Sequence, residues 1–197
     1  MKYVKQFLRY FEQFPAFTTR DVKLFLRKNG ASKGYYRVFM HNLVRSGRAF
    51  GIKKGAYTLY DDPMMGGFTF SPFYYGLETA LTYHKLWDYV TPVTIVTTRR
   101  ITGSKIELLG RNTTVRRIQR KLFFGYSMVG YGGGFYIPMA DIEKTLIDSV
   151  YFHTRFSRDV YLKMAKRIDA AKLNSYLKQY SGIVKKQVNG YLQDYEE

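Results

Sequence analysis

"SKGYYRVFMHNLVRSG", residues 32–47, decides how the N-terminal part of the chain is read. Wound as a helix, it puts Tyr36, Phe39, Met40 and Leu43 on one side, at the three- and four-residue spacing of a buried stripe. Gly34, Arg37, Val38, His41 and Arg45 fall on the other side. That second face is cationic and has no carboxylate, which suits it to an anionic partner.

Working outward, "YVKQFLRYFEQF" (3–14) has Val4, Phe7, Leu8 and Phe11 at helical spacing and is stopped by Phe14-Pro15. "FTTRDVKLFL" (17–26) reads as a second helix, capped by Thr18 or Thr19 with Asp21 in its first turn. Val22, Leu24, Phe25 and Leu26 supply its apolar contacts, and Gly30 suits a left-handed C-terminal residue. Ser32 is then the expected cap of the third helix, which Gly47 ends. "RAFGIKKGAYTLY" (48–60) follows as two short strands around the turn "KKG", a hairpin with a cationic tip.

Three helices followed by a basic two-stranded wing describe a winged helix-turn-helix over residues 1–66, with the third helix shaped for a major groove. Arg37 and Arg45 can bond phosphates or guanine edges, and His41 can donate to a base or phosphate. Gly34 lets the backbone approach closely. Lys53 and Lys54 on the wing are placed for flanking phosphates. Thr19, Ser32, Lys33 and Arg48 complete the expected DNA-facing set. Winged helices also serve as protein-interaction modules, against which the basic face argues.

Composition points the same way. The 197-residue chain carries 32 Lys and Arg against 15 Asp and Glu, a formal net charge of +17. Thirteen basic and four acidic residues precede Gly67, and nineteen and eleven follow, so the excess is spread along the chain. With 46% hydrophobic residues there is material for a real core, and a charge this large in both halves favours a polyanion partner, DNA, RNA or an anionic membrane, over a merely solvated surface. No cysteine is present, which excludes disulfides and thiolate chemistry. The N-terminal stretch is interrupted by Lys5, Arg9 and Glu12 and does not read as a signal peptide. No apolar run reaches the ~20 residues that span a bilayer. A cytoplasmic protein without a membrane partner is expected.

"DDPMMGG" (61–67) marks the expected boundary of a second domain, 67–197. "SPFYYGLETALTYHKL" (71–86) reads as a helix with Ser71 as cap and Pro72 at its first position. "PVTIVTT" (92–98) and "SKIELLG" (104–110) read as strands, and "FFGYSMVGY" with "FYIPM" as a hairpin around "GGG". "ADIEKTLIDSVYF" (140–152) is a helix capped by Asp141, and a helical tail with basic exposed positions runs from Asp159 to about Tyr195. The overall class is α+β: a winged helix-turn-helix followed by an α/β domain with a helical tail.

A basic stripe runs through this second domain: Arg99, Arg100, Lys105, Arg111, Arg116, Arg117, Arg120 and Lys121, opposed by Glu107 alone. It reads as a second nucleic-acid surface that continues the wing side and clamps DNA, or as a solvated strand end and helix face.

"YYGLETALTYHKL", "PVTIVTTRR", "FFGY" and "IPMADIEKTLIDSVYF", in that order, resemble the AbiEi family of antitoxins, with "TTRR" and "EKTLIDSVY" the most specific blocks. The resemblance covers most of the chain to about Phe152. Ile142 stands where many members have a proline, a departure that leaves Asp141 able to cap the helix. The resemblance implies a DNA-binding winged helix joined to an antitoxin domain. It also implies autorepression through operator inverted repeats in double-stranded DNA, and action against an AbiEii-type nucleotidyltransferase toxin without a stable complex.

No catalytic constellation emerges, and no cofactor is expected. "GYGGGFY" (130–136) lacks the GxxxxGK[ST] pattern and reads as a hairpin turn. His41, His84 and His153 have no metal-ligand spacing. "TGSK" (102–105) is not followed by spaced aspartates that would hold magnesium. Asp141, Glu143 and Lys144 fit one helix turn better than a metal site. The expectation is a non-enzymatic DNA-binding antitoxin; the alternative is a nuclease or other nucleic-acid-processing enzyme using Asp141, Glu143 or Asp148. Arg99, Arg100 and Lys144 are expected as exposed charges of the antitoxin surface.

Overall fold

Phe7 organises the N-terminal part of the molecule. It lies on α1 (Val4–Phe11), and its ring sits 4.4–5.5 Å, centroid to centroid, from Phe11, Phe17, Phe25 and Phe39. These rings come from β1 (Phe17–Thr18), α2 (Thr19–Lys28) and α3 (Tyr35–Arg45) as well as α1, so one aromatic cluster fixes all the helices. Tilted and edge-on ring pairs add about 0.5–1.5 kcal/mol each beyond the area they bury. Strands β2 (Phe50–Lys53) and β3 (Ala56–Thr58) close the unit in an antiparallel sheet of order β1-β3-β2.

The computed structural model describes residues 3–193, and the chain divides into two compact units. The first runs to Ser71 and includes Glu107–Asn112; the second holds Pro72–Ile106 and the chain from Thr113 onward. The boundary read from sequence, after residue 66, falls inside a 3-10 segment, Pro63–Phe70, whose start is capped by the Asp62 carboxylate accepting from the Met64 N–H at 2.9 Å.

Local chemistry explains the helix ends of the first unit. Thr18 caps α2 in a capping box: its hydroxyl accepts from the Asp21 N–H, and the Asp21 carboxylate accepts from the Thr18 N–H at 2.7 Å. Gly30 and Gly47 take φ of +80° and +66° after α2 and α3. Ser32 does not cap α3. The helix starts at Tyr35 behind Gly34, without a side-chain cap, because 32–35 form a turn closed by the Tyr35 N–H donating to the Ser32 carbonyl at 3.2 Å. Leu24, expected in the core, is exposed.

The second unit holds most of a six-stranded mixed sheet of order β6-β7-β5-β4-β9-β8, in which the end of β6 and the start of β7 belong to the Glu107–Asn112 segment of the first unit. Its strands are β4 (Phe73–Tyr75), β5 (Val93–Thr97), β6 (Lys105–Leu108), β7 (Arg111–Arg117), β8 (Tyr126–Tyr131) and β9 (Phe135–Ala140). Strands β4 and β9 are parallel, as are β5 and β7, while β4–β5 and β8–β9 are antiparallel. The stretch from Ser71, read as one helix, opens instead as β4. Consecutive Phe73, Tyr74 and Tyr75 are all buried, so both faces of this central strand are covered and helical periodicity is a false guide there. Leu77, at φ +52°, turns the chain into the short helix α4 (Glu78–Tyr83).

Helix α5 (Ile142–Tyr151) is buried along nearly its whole length and packs against α4, α7 (Ala170–Leu177) and α8 (Gly182–Gln193); α6 (Arg158–Ala165) packs on α8. The end of the expected helical tail, at Tyr195, lies outside the described residues. "GGG" turns β8 into β9, with Gly133 and Gly134 at φ +75° and +78°, positions where glycine is free of Cβ strain. Among the described residues no helix is long and apolar enough to cross a membrane.

Candidate nucleic-acid interface

Burial of Phe39, Met40 and Leu43 against the aromatic cluster rotates the opposite face of α3 outward. Arg37, Val38, His41 and Arg45 are exposed along it. Val38 is 58% exposed and Val44 41%, a large apolar area for the solvent side of a helix. Exposed apolar side chains of this kind are suited to thymine methyl groups, as the cations beside them are to guanine edges and phosphates.

The α3 face forms one wall of an open groove of about 720 Å³, and the β2–β3 turn forms another. Arg37, His41 and Arg45 come from α3, Lys54 from the turn, and Thr19 from the start of α2. Five residues named from sequence are thus brought together, and among the described residues no carboxylate lines the groove. Thr19 has a structural task there. Its N–H donates to the Gly55 carbonyl at 2.9 Å and its hydroxyl to the same oxygen at 3.3 Å, tying the turn to α2. Gly55 takes φ +78° to make that turn.

The remaining expected DNA contacts separate. Lys53 faces away from the groove: its ammonium donates to the Thr69 carbonyl at 3.3 Å and lies 4.1 Å from the centroid of Phe70. Arg48 is exposed beyond the helix end and does not line the groove. Ser32 and Lys33 line a neighbouring cleft with Tyr36 and Arg37. Tyr36, expected in the buried stripe, is half-buried and borders both depressions. Its phenol oxygen accepts from Arg37 Nε at 3.1 Å, which leaves both terminal guanidinium nitrogens of Arg37 outside that bond. That hydrogen bond lowers the Tyr36 pKa and raises that of Arg37.

The second basic stripe also splits. The parallel register Thr97↔Arg117 brings the ends of β5 and β7 to the same sheet edge. Arg99 and Arg100 follow β5 there, Arg117 ends β7, and Arg120 and Lys121 lie on the short 3-10 turn just beyond; all five are exposed. Lys105, exposed at the start of β6, follows Ser104, whose carbonyl accepts from the Val115 N–H at 2.8 Å near the same end of β7. Arg111 sits at the other end of β7, about 20 Å away at ~3.3 Å per residue, and its guanidinium lies 3.6 Å from the Asp61 carboxylate. Arg116 is half-buried, its guanidinium 6.0 Å from the centroid of Phe152 and its Nε without a hydrogen-bond partner. Six of the eight cations therefore share one edge.

Lys144 is not an exposed charge. It is fully buried, ion-paired to the equally buried Asp148 one helical turn on, and donates to Tyr180 OH at 2.8 Å. Asp148 accepts a second hydrogen bond, from Tyr74 OH at 2.6 Å. Burial raises the Asp148 pKa in spite of Lys144 and Tyr74, and burial lowers that of Lys144 in spite of Asp148. Asp141 caps α5 by accepting from the Lys144 N–H at 2.7 Å, and its other oxygen accepts from Tyr176 OH at 2.8 Å and Lys172 at 2.9 Å. Glu143 accepts from the Asp169 N–H at 2.8 Å and from Lys172 at 3.0 Å. Each carboxylate is thus occupied in holding helices together. His84 Nε2 lies 2.8 Å from the Ala140 carbonyl, a bond between elements of the core. Among the described residues no group of three His, Cys, Asp or Glu is placed to hold a metal.

No family model matches the chain, and no curated protein matches it in sequence. The fold is similar to that of the RV2827C protein from Mycobacterium tuberculosis, known from a crystal structure: TM-score 0.69 at 13% identity, over 100% of this chain and 78% of that one. At that identity the likeness is one of fold.

Proposed function

We propose that the protein is a DNA-binding antitoxin and autorepressor whose first unit is a winged helix-turn-helix. The observation that carries this reading is the groove, free of carboxylates among the described residues, in which Arg37, His41, Arg45 and Lys54 converge with Val44 of α3. In it α3 is the recognition helix and the β2–β3 hairpin is the wing. The AbiEi-like sequence blocks support a second unit that counters a nucleotidyltransferase toxin. With Lys144 buried, the exposed edge holding Arg99, Arg100, Arg117, Arg120 and Lys121 is the surface of that unit suited to a polyanion or to the toxin. A nuclease would need Asp141, Glu143 or Asp148 for a metal, and each is already engaged by lysine, tyrosine or backbone donors.

The test is Arg37→Ala, assayed by fluorescence anisotropy on a duplex selected from a randomised pool and on an unrelated duplex. Loss of a bidentate base contact costs about 1–3 kcal/mol on the selected duplex, and binding to the unrelated duplex should change much less. Equal loss on both would remove the base-reading role and leave a phosphate contact.

A further inference from the structure

The cleft next to the α3 groove has no role assigned so far. It holds about 900 Å³ and is lined by Lys23 and Arg27 of α2, Ser32 and Lys33 of the connecting turn, and Tyr36 and Arg37 of α3. Among the described residues no carboxylate lines it. Lys23 and Arg27 stand four residues apart on one helix, an arrangement in which like charges weaken a helix by a few tenths of a kcal/mol. Neither they nor Lys33 has an ion-pair partner among the described residues. Asp21, the nearest acid in sequence, is committed to the capping box with Thr18.

Tyr36 joins this cleft to the groove. Its ring lies beneath the Lys23 ammonium, 4.4 Å from nitrogen to centroid, while its phenol oxygen holds Arg37 Nε. Tyr36 and Arg37 line both depressions, so cations of α2 and α3 form one continuous array. A site with four cations, two hydroxyls and no acid among the described residues is chemically complementary to phosphodiester oxygens. Its continuity with the base-reading groove selects the backbone of the same duplex over a separate ligand.

We propose that the α2–α3 cleft is a phosphate-binding site, with Lys23, Arg27 and Lys33 taking the DNA backbone beside the bases read by α3. This rests on the proposed reading of the groove. It adds two α2 residues to the footprint and makes their contribution one of affinity without sequence preference.

Lys23→Gln with Arg27→Gln removes both charges and keeps good helix formers. Affinity for the selected and the unrelated duplex is measured across a salt series for the intact chain, this double variant, and Arg45→Gln with Lys54→Gln from the groove. Each phosphate contact contributes about −0.9 to the slope of log K against log salt, so the α2 pair should flatten the slope by about 1.8. The ratio of affinities for the two duplexes should stay unchanged. If the groove pair flattens the slope and the α2 pair does not, the cleft proposal is wrong and the groove reading stands. A collapse of the selected-to-unrelated ratio in the α2 pair would overturn the backbone assignment as well. If the intact chain shows no salt-dependent duplex binding, both readings fall. Circular dichroism confirms that each variant is folded.

Discussion

Replacing Lys144 by methionine tests what α5 is for. Lys144 and Asp148 are a fully buried ion pair, and the polar bonds around it come from tyrosines: Tyr74 OH donates to Asp148, and Lys144 donates to Tyr180 OH. The rings of Tyr74, Phe124 and Tyr180 lie 5.4–5.6 Å from the ammonium. Lys144→Met leaves a buried carboxylate with tyrosine hydroxyls in place of its ammonium partner, at a cost of about 3–5 kcal/mol. Asp148→Leu strands the ammonium and costs a similar amount by the same reasoning. The double variant removes both charges and orphans two tyrosine hydroxyls at about 1–3 kcal/mol each. Replacing a whole buried pair by apolar groups is itself neutral to favourable, so the double variant should cost less than the two singles together by several kcal/mol. Burial already raises the Asp148 pKa, and losing Lys144 removes the main opposing influence. A carboxyl whose folded pKa lies above its unfolded value favours folding when protonated, and that benefit is lost as pH rises through the folded pKa. Lys144→Met should therefore be closer to the parent protein at pH 5 than at pH 8. Urea unfolding followed by circular dichroism measures all three variants at both pH values. Additive single costs, with no pH dependence, would refute the view that this pair is a coupled scaffold element.

Other expectations follow from the same geometry. Lys172→Met, which unhooks α7 from Asp141 and Glu143, should cost about 1 kcal/mol at neutral pH because Lys172 is partly solvated. Burial works to raise the Glu143 pKa, but the Asp169 N–H and Lys172 outweigh it and the net shift is down. Glu143's contribution is then full above the ordinary carboxylate range and fades as pH falls through its lowered pKa, so urea midpoints of variant and parent should converge in acid. Gly125→Ala should destabilise the second unit by about 1–3 kcal/mol, because Gly125 has φ +75° and an added Cβ would lie 2.9–3.0 Å from Lys144 side-chain carbons; an unchanged thermal midpoint would contradict the close packing. Lys54→Gln should flatten the salt dependence of the proposed DNA binding more than Lys53→Gln, since Lys53 is drawn to Thr69 and Phe70; equal slopes would show that the β2–β3 turn presents both.

Much of the first unit was legible because its signals are local. Helical spacing in 3–14 and 35–45, the Thr18–Asp21 box and the glycines at 30 and 47 depend on neighbours within four residues, and the structure shows each of them in place. The failures needed partners far along the chain. Phe73, Tyr74 and Tyr75 form a strand because Thr97, Val96 and Ile95 pair with them, and nothing within "SPFYYG" says so. Strand β7 was missed because "RNTTVRR" looks solvated until Val93–Thr97 lies parallel beside it.

The lysines make the same point at the level of the site. Lys53 and Lys54 are adjacent in one turn, yet Lys54 lines the groove while Lys53 is held by Thr69 and Phe70. Lys144 looks like a surface charge in "DIEKTLID", but Tyr74, Asp148 and Tyr180 enclose it, and of these only Asp148 is a helical neighbour. In sequence Lys23 and Arg27 carry no signal of their own, because i,i+4 cations on an amphipathic helix are an ordinary solvated face. The fold gives them meaning by bringing Lys33, Tyr36 and Arg37 to the same cleft. A basic residue read from sequence is therefore only a candidate. Whether it is a contact, a buried scaffold element or an internal partner is decided by what the distant chain places within about 4 Å of its charged end.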